Sequence, residues 1–435
     1  MEALEAVVEC TRDREACVRR DAAAALPRLT VAGDPSSRGF QLPRGALIAQ
    51  CQGDLDPAAR RAAITALAQV ARPGDVAAVE AIARSAGFLD AGVRCTTADM
   101  LPALVDFTLP GGDALAVCVL ATLLGLLEDA YEEVRWATVR SLAKVAKPSD
   151  TSVVDALIGC LEDVDPHMRQ AVVDLLVALL GRGDQRVLAA LHAALASLCP
   201  VRRRKAVEEL WQLAPFGDPD AVERTAICLE ARDQHLRRAA VEAIGRTAPK
   251  GDAHAVARVA FRLEHLDLRV RRAAVAALPQ VADRGDRGAL LAAVARLEHQ
   301  EDQVRRAAIE VLPALAKPGD PWAIEEVAKL LEHGEHFVRR AAAEALAALA
   351  PTGDGHAIDE VVRRTEHQDF PIRLFAVKLL PQVAGRGDDR AIFAAAALLQ
   401  DGSELVRQAA EAAYGQVRHA DPSEEAGEPQ DGGGA

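Results

Sequence analysis

The sequence predicts an all-α, right-handed solenoid of about twelve helical hairpins, and three observations lead there. From Val134 onward, equivalent residues recur every 34 positions: Val134, Met168, Arg202, Leu236, Val270, Val304, Val338, Ile372 and Val406, each followed at once by an arginine. Self-similarity at such a period marks stacked supersecondary units, each of which buries its apolar face only against its neighbours. A Gly-Asp dipeptide punctuates the array at the same period, from Gly183-Asp184 through Gly251-Asp252 to Gly387-Asp388. Half the residues are hydrophobic but only 3% are aromatic, so the core must be built from Ala, Leu and Val, which suits closely packed helices.

The second helix of each unit is read from the stretch 270–286. Val270, Ala274, Leu278 and Val281 recur at three- and four-residue spacing and form one stripe, which predicts burial. Equivalents of Leu278 run from Leu26 and Leu67 through Leu346 to Tyr414, extending the pattern back beyond the strict array and giving twelve repeats. The first helix carries its own stripe, as in Val256, Val259, Ala260 and Leu263. At the junctions, glycine can take the left-handed conformation that closes one helix, and aspartate can cap the next. Gly33-Asp34 and Gly112-Asp113 are read as junctions of this kind, with Ser149-Asp150 as the variant.

In nine of the repeats an acid stands three residues before the key position, as at Asp56, Asp267 and Glu335, and an arginine stands four residues after that acid. Acid before base at this spacing is favourable on a helix, so the pairs are expected to form a structural ladder between neighbouring turns. Proline follows the buried leucine at Pro27, Pro102, Pro279, Pro313 and Pro381, which is expected to set curvature.

The pattern acid-x-x-Val-Arg-x-x-Ala followed by Leu, at 30 to 35 residues per unit, resembles the HEAT-like repeats of the phycobilisome-lyase type within the armadillo-type helical superfamily. The resemblance covers residues 1 to about 419 and implies an α-solenoid. It leaves a pigment (bilin) lyase or isomerase, or another HEAT-repeat enzyme subunit, as the alternative function. Deoxyhypusine hydroxylase, which resembles this chain in repeat type, holds two irons with His-Glu dipeptides; none occurs here, and Arg272-Ala273 and Arg306-Ala307 stand in those places. Walker, GxSxG and GxGxxG motifs are also lacking. No catalytic, cofactor-binding or metal-ligating residue is therefore assigned.

Three segments follow. Residues 1–128 form less regular repeats with loop insertions at 35–45 and around 103–116, residues 129–419 form the strict array, and the acidic, Gly-rich 420–435 is expected to be disordered. The balance of 51 basic against 64 acidic residues, net −13, argues against nucleic acid or an anionic membrane as partner. The acidic start Met1-Glu2-Ala3-Leu4-Glu5 is unlike a secretory signal, and the uncharged, strongly apolar run 114–127 is too short to span a bilayer, so a cytoplasmic protein is expected. Eight cysteines without a CxxC pair read as free thiols serving as small packing residues. The apolar runs 114–127 and 171–180 fit buried helices of a monomer, with a homodimer patch as the alternative.

The expected function is a non-enzymatic scaffold that binds a protein along its concave face. A second arginine follows the first at Arg204, Arg238, Arg272, Arg306 and Arg340 in consecutive repeats, placing a line of cations on the second helices. Trp136 replaces that arginine in its own repeat and Trp211 takes the place used by proline elsewhere. Tryptophan and arginine are the usual anchors of protein interfaces, so these seven residues are the candidate partner-binding set. The recurring Glu-His pairs at 264, 298, 332 and 366 are stepped by a whole repeat and cannot converge on one ion.

Overall fold

A computed structural model describes residues 2–30 and 37–418. Among them the secondary structure is wholly helical, and the helices pair as the twelve predicted hairpins of an all-α solenoid. The chain divides into two compact units, Met1–Ala190 and Leu191–Ala435. The first contains the second helices Ala16–Leu29, Pro57–Val70, Ala91–Met100, Glu132–Val145 and Pro166–Leu180. The second contains Pro200–Leu213, Gln234–Thr247, Leu268–Val281, Asp302–Leu315, His336–Leu349, Phe370–Val383 and Glu404–Val417.

The stripes bury as their spacing requires. Helix Leu268–Val281 sinks Val270, Ala274, Leu278 and Val281, and the preceding Ala253–Phe261 sinks Ala255, Val256, Val259 and Ala260. Each fully buried leucine contributes about 2 kcal/mol of apolar transfer energy. Small side chains let neighbouring second helices approach closely: a methyl group at Gly245 would lie 2.9 Å from the Gln280 carbonyl oxygen. Hence the alanine-rich core with few aromatics.

At the junctions, one glycine does two jobs. Gly285 takes φ +87°, and its N–H donates to the Leu315 carbonyl at 2.7 Å. Asp286 then accepts the Ala289 N–H at 2.8 Å and starts the next helix. Gly217, Gly251, Gly353 and Gly387 reach the same carbonyl, thirty residues on, at Thr247, Val281, Val383 and Val417. The left-handed turn aims a backbone donor at the next repeat as well as ending a helix. Two expected junctions differ. The left-handed residue near 112 is Gly111 and itself precedes the helix, so Gly112–Leu127 starts two residues earlier than a cap at Asp113 would place it, and Asp113 lies inside its first turn. Asp150 accepts the Lys147 N–H at 2.7 Å instead of a helix N–H. Gly33-Asp34 lies outside the described residues.

The insertion read as a loop at 35–45 needs correction. Residues 38–45 begin a helix, Arg38–Gly53, which buries Phe40, Pro43, Leu47 and Cys51. Its Gly and Pro residues suggested a loop, but an apolar stripe at helical spacing outweighs their poor propensity. Pro27, Pro279, Pro313 and Pro381 lie inside continuous helices, whereas at Pro102 the helix stops at Met100 and a 3₁₀ turn, Leu101–Leu104, carries on.

The arginine ladder is real but uses other partners than the acids expected. Arg94 donates to the carbonyls of Phe88 and Leu89, closing its own turn. Its remaining edge forms a bidentate pair with Asp129 of the next repeat at 2.5 and 2.9 Å. Arg19 with Asp54, Arg135 with Asp163 and Arg373 with Asp401 repeat the arrangement. Of the acids three residues before the key position, Asp56, Asp90, Asp165, Asp233 and Asp267 cap helices instead, Asp56 accepting the Ala59 N–H and Asp233 the Leu236 N–H, whereas Glu15, Glu301, Glu335 and Asp369 make no side-chain cap.

This ladder makes the fold acid-labile. Burial pushes the Asp129 carboxyl up, but hydrogen bonds from Arg94 and the Tyr131 N–H outweigh it and hold the group below the ordinary carboxylate range. Asp54 behaves alike, and at Asp401 the Arg373 hydrogen bond dominates. A depressed native value means that stability is full above the unfolded carboxylate value of about 4 and is lost as pH falls through the native one. Thermal melting followed by circular dichroism should therefore be flat from neutrality to about pH 5 and fall below about pH 4. A melting point unchanged at acid pH would show that the pairs contribute nothing.

Candidate functional site

The five arginines of the predicted stripe lie at the surface of five successive second helices in the second unit. Arg238, Arg272, Arg306 and Arg340 are exposed and Arg204 is half-buried. Their spacing follows from the 34-residue period, since each stands two residues after a buried key residue or its equivalent. Four of them carry acidic neighbours. Arg204 approaches Glu208 at 3.5 Å and Arg238 approaches Glu242 at 3.1 Å, the latter guanidinium being 81% exposed. Arg306 turns away from Glu310 to Asp302 at 2.8 Å, and Arg340 reaches the same Asp302 at 3.2 Å, linking the second helices of repeats nine and ten. Arg272 has no ion partner among the described residues. Exposed pairs of this kind are each worth under about 1 kcal/mol, so an incoming acid can displace them at little cost.

The tryptophans sit differently. Trp136, in the first unit, is half-buried and its indole N–H donates to Asp165 at 3.3 Å. Trp211, in the second unit, packs on the core, with the Arg246 guanidinium 5.1 Å from its ring. Trp211 therefore belongs to the unit that bears the arginines, and Trp136 does not.

Sequence reasoning passed over the residue five positions before each key residue. There Asp54, Asp129, Asp163 and Asp401 are replaced in four consecutive repeats by His265, His299, His333 and His367, and all eight accept the backbone N–H two residues on. Aligning the repeats at that column, instead of reading Glu-His as a dipeptide, would have shown the shared acceptor. The glutamates of those dipeptides tie neighbouring repeats: Glu264 holds Arg296 at 2.9 Å and Glu332 holds Arg364 at 3.0 Å.

Cys51 and Cys228 are the packing residues expected, and burial pushes their thiols up to about 12 and about 11. Cys10, Cys17, Cys118 and Cys199 are exposed, so packing does not account for them. The outward face of Gly112–Leu127, with Ala114, Val117, Cys118 and Ala121, is likewise open to solvent. No cluster of His, Cys, Asp or Glu able to hold a metal occurs among the described residues, and none of their helices is long and apolar enough to cross a membrane.

The model of HEAT repeats matches residues 119–211, 256–347 and 290–380, half of the chain. The chain is a HEAT-repeat protein. Comparison with curated proteins returned no match. Among solved structures, this HEAT-repeat chain is similar to the karyopherin Kap121p bound to the extreme C-terminus of the protein phosphatase Cdc14p, at 13% identity over 94% of this chain and 49% of that one, with TM-score 0.46. Importin beta matches at 15% identity over 96% and 66%, TM-score 0.44, and an engineered protein at 18% over 96% and 99%, TM-score 0.26. The HEAT-repeat chain spans about half the length of the karyopherin.

Proposed function

We propose that this protein is a non-enzymatic cytoplasmic scaffold, acting as a monomer, that captures an acidic protein along the exposed face of its second helices. The observation that carries this reading is the row of surface guanidiniums at Arg204, Arg238, Arg272, Arg306 and Arg340, one per repeat, on a chain whose net charge is −13. A local cationic row on an acidic protein directs acidic partners to one face, while the rest of the surface repels them. Helices pack roughly 10 Å apart, and an extended chain rises about 3.3 Å per residue. An extended partner with an acid at about every third residue would therefore match the row repeat by repeat. Arg272, which has no internal acid to displace, is the natural starting point, and Trp211 and Trp136 are the apolar anchors of the two units.

The test is affinity capture from native lysate with the wild-type chain and with a variant carrying Glu at Arg238, Arg272, Arg306 and Arg340. Partners retained by the wild type should be lost from the variant, while helicity and melting stay unchanged, because the replaced groups are exposed and weakly paired. Identical partners on both would remove the row from the mechanism.

A further inference from the structure

The ladder arginines are built to hold a carboxylate, and opposite Arg237, Arg271, Arg305 and Arg339 the next repeat places a histidine where Arg373 meets Asp401. Arg305 draws on Asp302 of its own helix at 3.0 Å instead. Each such arginine uses one amino group to close its own turn, which directs the Nε–Nη2 edge at the next repeat. Arg373 shows the filled state, with Asp401 2.6 Å from Nε and 3.0 Å from Nη2. Arg339 shows the empty one. Its Nη1 donates to the carbonyls of His333 and Gly334, both at 2.7 Å. Its Nε has no partner, although the residue is only 8% exposed. In place of Asp401, the next repeat offers His367, whose Nδ1 is already engaged by the Asp369 N–H at 3.0 Å. At Arg271 the corresponding edge is met by Gln303 at 3.4 Å. Arg339 has no such polar substitute: the Phe375 ring lies 5.3 Å from its guanidinium carbon and offers no hydrogen-bond acceptor to Nε. The residue lines an open cavity of about 730 Å³ together with His333, Gln368, Asp369, Phe370 and Ile372.

A buried guanidinium with an unmatched donor edge costs free energy until an acceptor arrives, and a bidentate carboxylate is the acceptor whose geometry fits. We propose that this cavity docks an acidic side chain of a partner protein, its carboxylate seated on the Nε–Nη2 edge of Arg339 as Asp401 is on Arg373. The half-exposed Phe370 provides an apolar contact for the neighbouring partner residue. The other acid of the cavity wall, Glu332, is tied to Arg364 at 3.0 Å, whereas Asp369 remains at the rim and would repel a second partner carboxylate. The site therefore fits a single acid flanked by apolar residues. Arg339 is buried and Arg340 is exposed, so this site is separate from the surface row and stands or falls independently of it.

The test uses the full chain with ¹⁵N-labelled arginine and a synthetic peptide, Gly-Pro-Leu-Glu-Leu-Pro-Gly, its Gln analogue serving as control. The Nε–H resonance of Arg339, assigned through Arg339→Lys, should move on adding the Glu peptide and not the Gln peptide. His367→Asp supplies the carboxylate from within, as in the sibling repeats, and should weaken the peptide about tenfold or more while raising the melting temperature. This variant keeps the test valid should Arg339→Lys fail to fold. No movement of the Arg339 signal at saturating peptide, or equal binding by His367→Asp, would overturn the proposal.

Discussion

Replacing Arg94 by Met is expected to destabilise the amino-terminal unit by about 3–5 kcal/mol, the usual cost of stripping one partner from a buried pair. The Arg94 side chain is 12% exposed and Asp129 only 9%. The guanidinium serves four acceptors, namely two carbonyls of its own turn and both oxygens of Asp129 in the next repeat. Met fills a similar volume but leaves Asp129 charged and nearly dry. Adding Asp129→Asn should recover about half the loss, because Asn keeps an acceptor for the Tyr131 N–H and removes the unpaired charge. Trp136 is the sole tryptophan of this unit, so urea unfolding followed by its fluorescence, in a Trp211→Phe, Trp322→Phe background, isolates the effect. A loss below about 1 kcal/mol would reduce the ladder to the standing of surface ion pairs.

Gly112→Ala should cost the same unit about 3 kcal/mol through overpacking. An added Cβ would sit 2.1 Å from the Asp106 carbonyl oxygen and 3.2 Å from the Phe107 Cα, and both are backbone, so no side-chain rotation can relieve the clash. Gly125 lies on the same helix with nothing within 4 Å of its would-be Cβ. Gly125→Ala should therefore stabilise by roughly 0.5–1 kcal/mol, from helix propensity alone. The same fluorescence-detected unfolding checks both variants. A similar effect at the two glycines would mean that the chain folds back less tightly on the start of this helix than the structure has it.

The fold was legible because a period repeated twelve times averages out local noise: the stripe through Val270, Ala274, Leu278 and Val281 needs only the spacing of apolar residues. Helix termini were legible where Gly and Asp stand together, and misread at Gly112, where an inserted turn shifts the left-handed position to Gly111. The first two turns of helix Arg38–Gly53 were read as a loop because Gly39, Pro43 and Gly45 outweighed Phe40 in a reading by composition. The inter-repeat ties were harder to see. Arg94 meets Asp129 across 35 residues of sequence, and Gly285 meets the Leu315 carbonyl through a backbone group that no side chain announces. The candidate row was legible as a register of arginines, but its internal pairing was not. That Arg306 prefers Asp302 to Glu310 depends on where a helix begins, which spacing alone does not fix.

Site-specific photo-crosslinking tests the docking of a partner along the second helices. A benzophenone side chain at exposed Ala276, one turn beyond Arg272 on helix Leu268–Val281, is compared with one at exposed Leu291 on the first helix Arg287–Val294. Partner adducts are expected from position 276, lost when Arg238, Arg306 and Arg340 are changed to Glu, and none from position 291. Adducts from position 291 alone would place the partner on the first helices and contradict docking along the second.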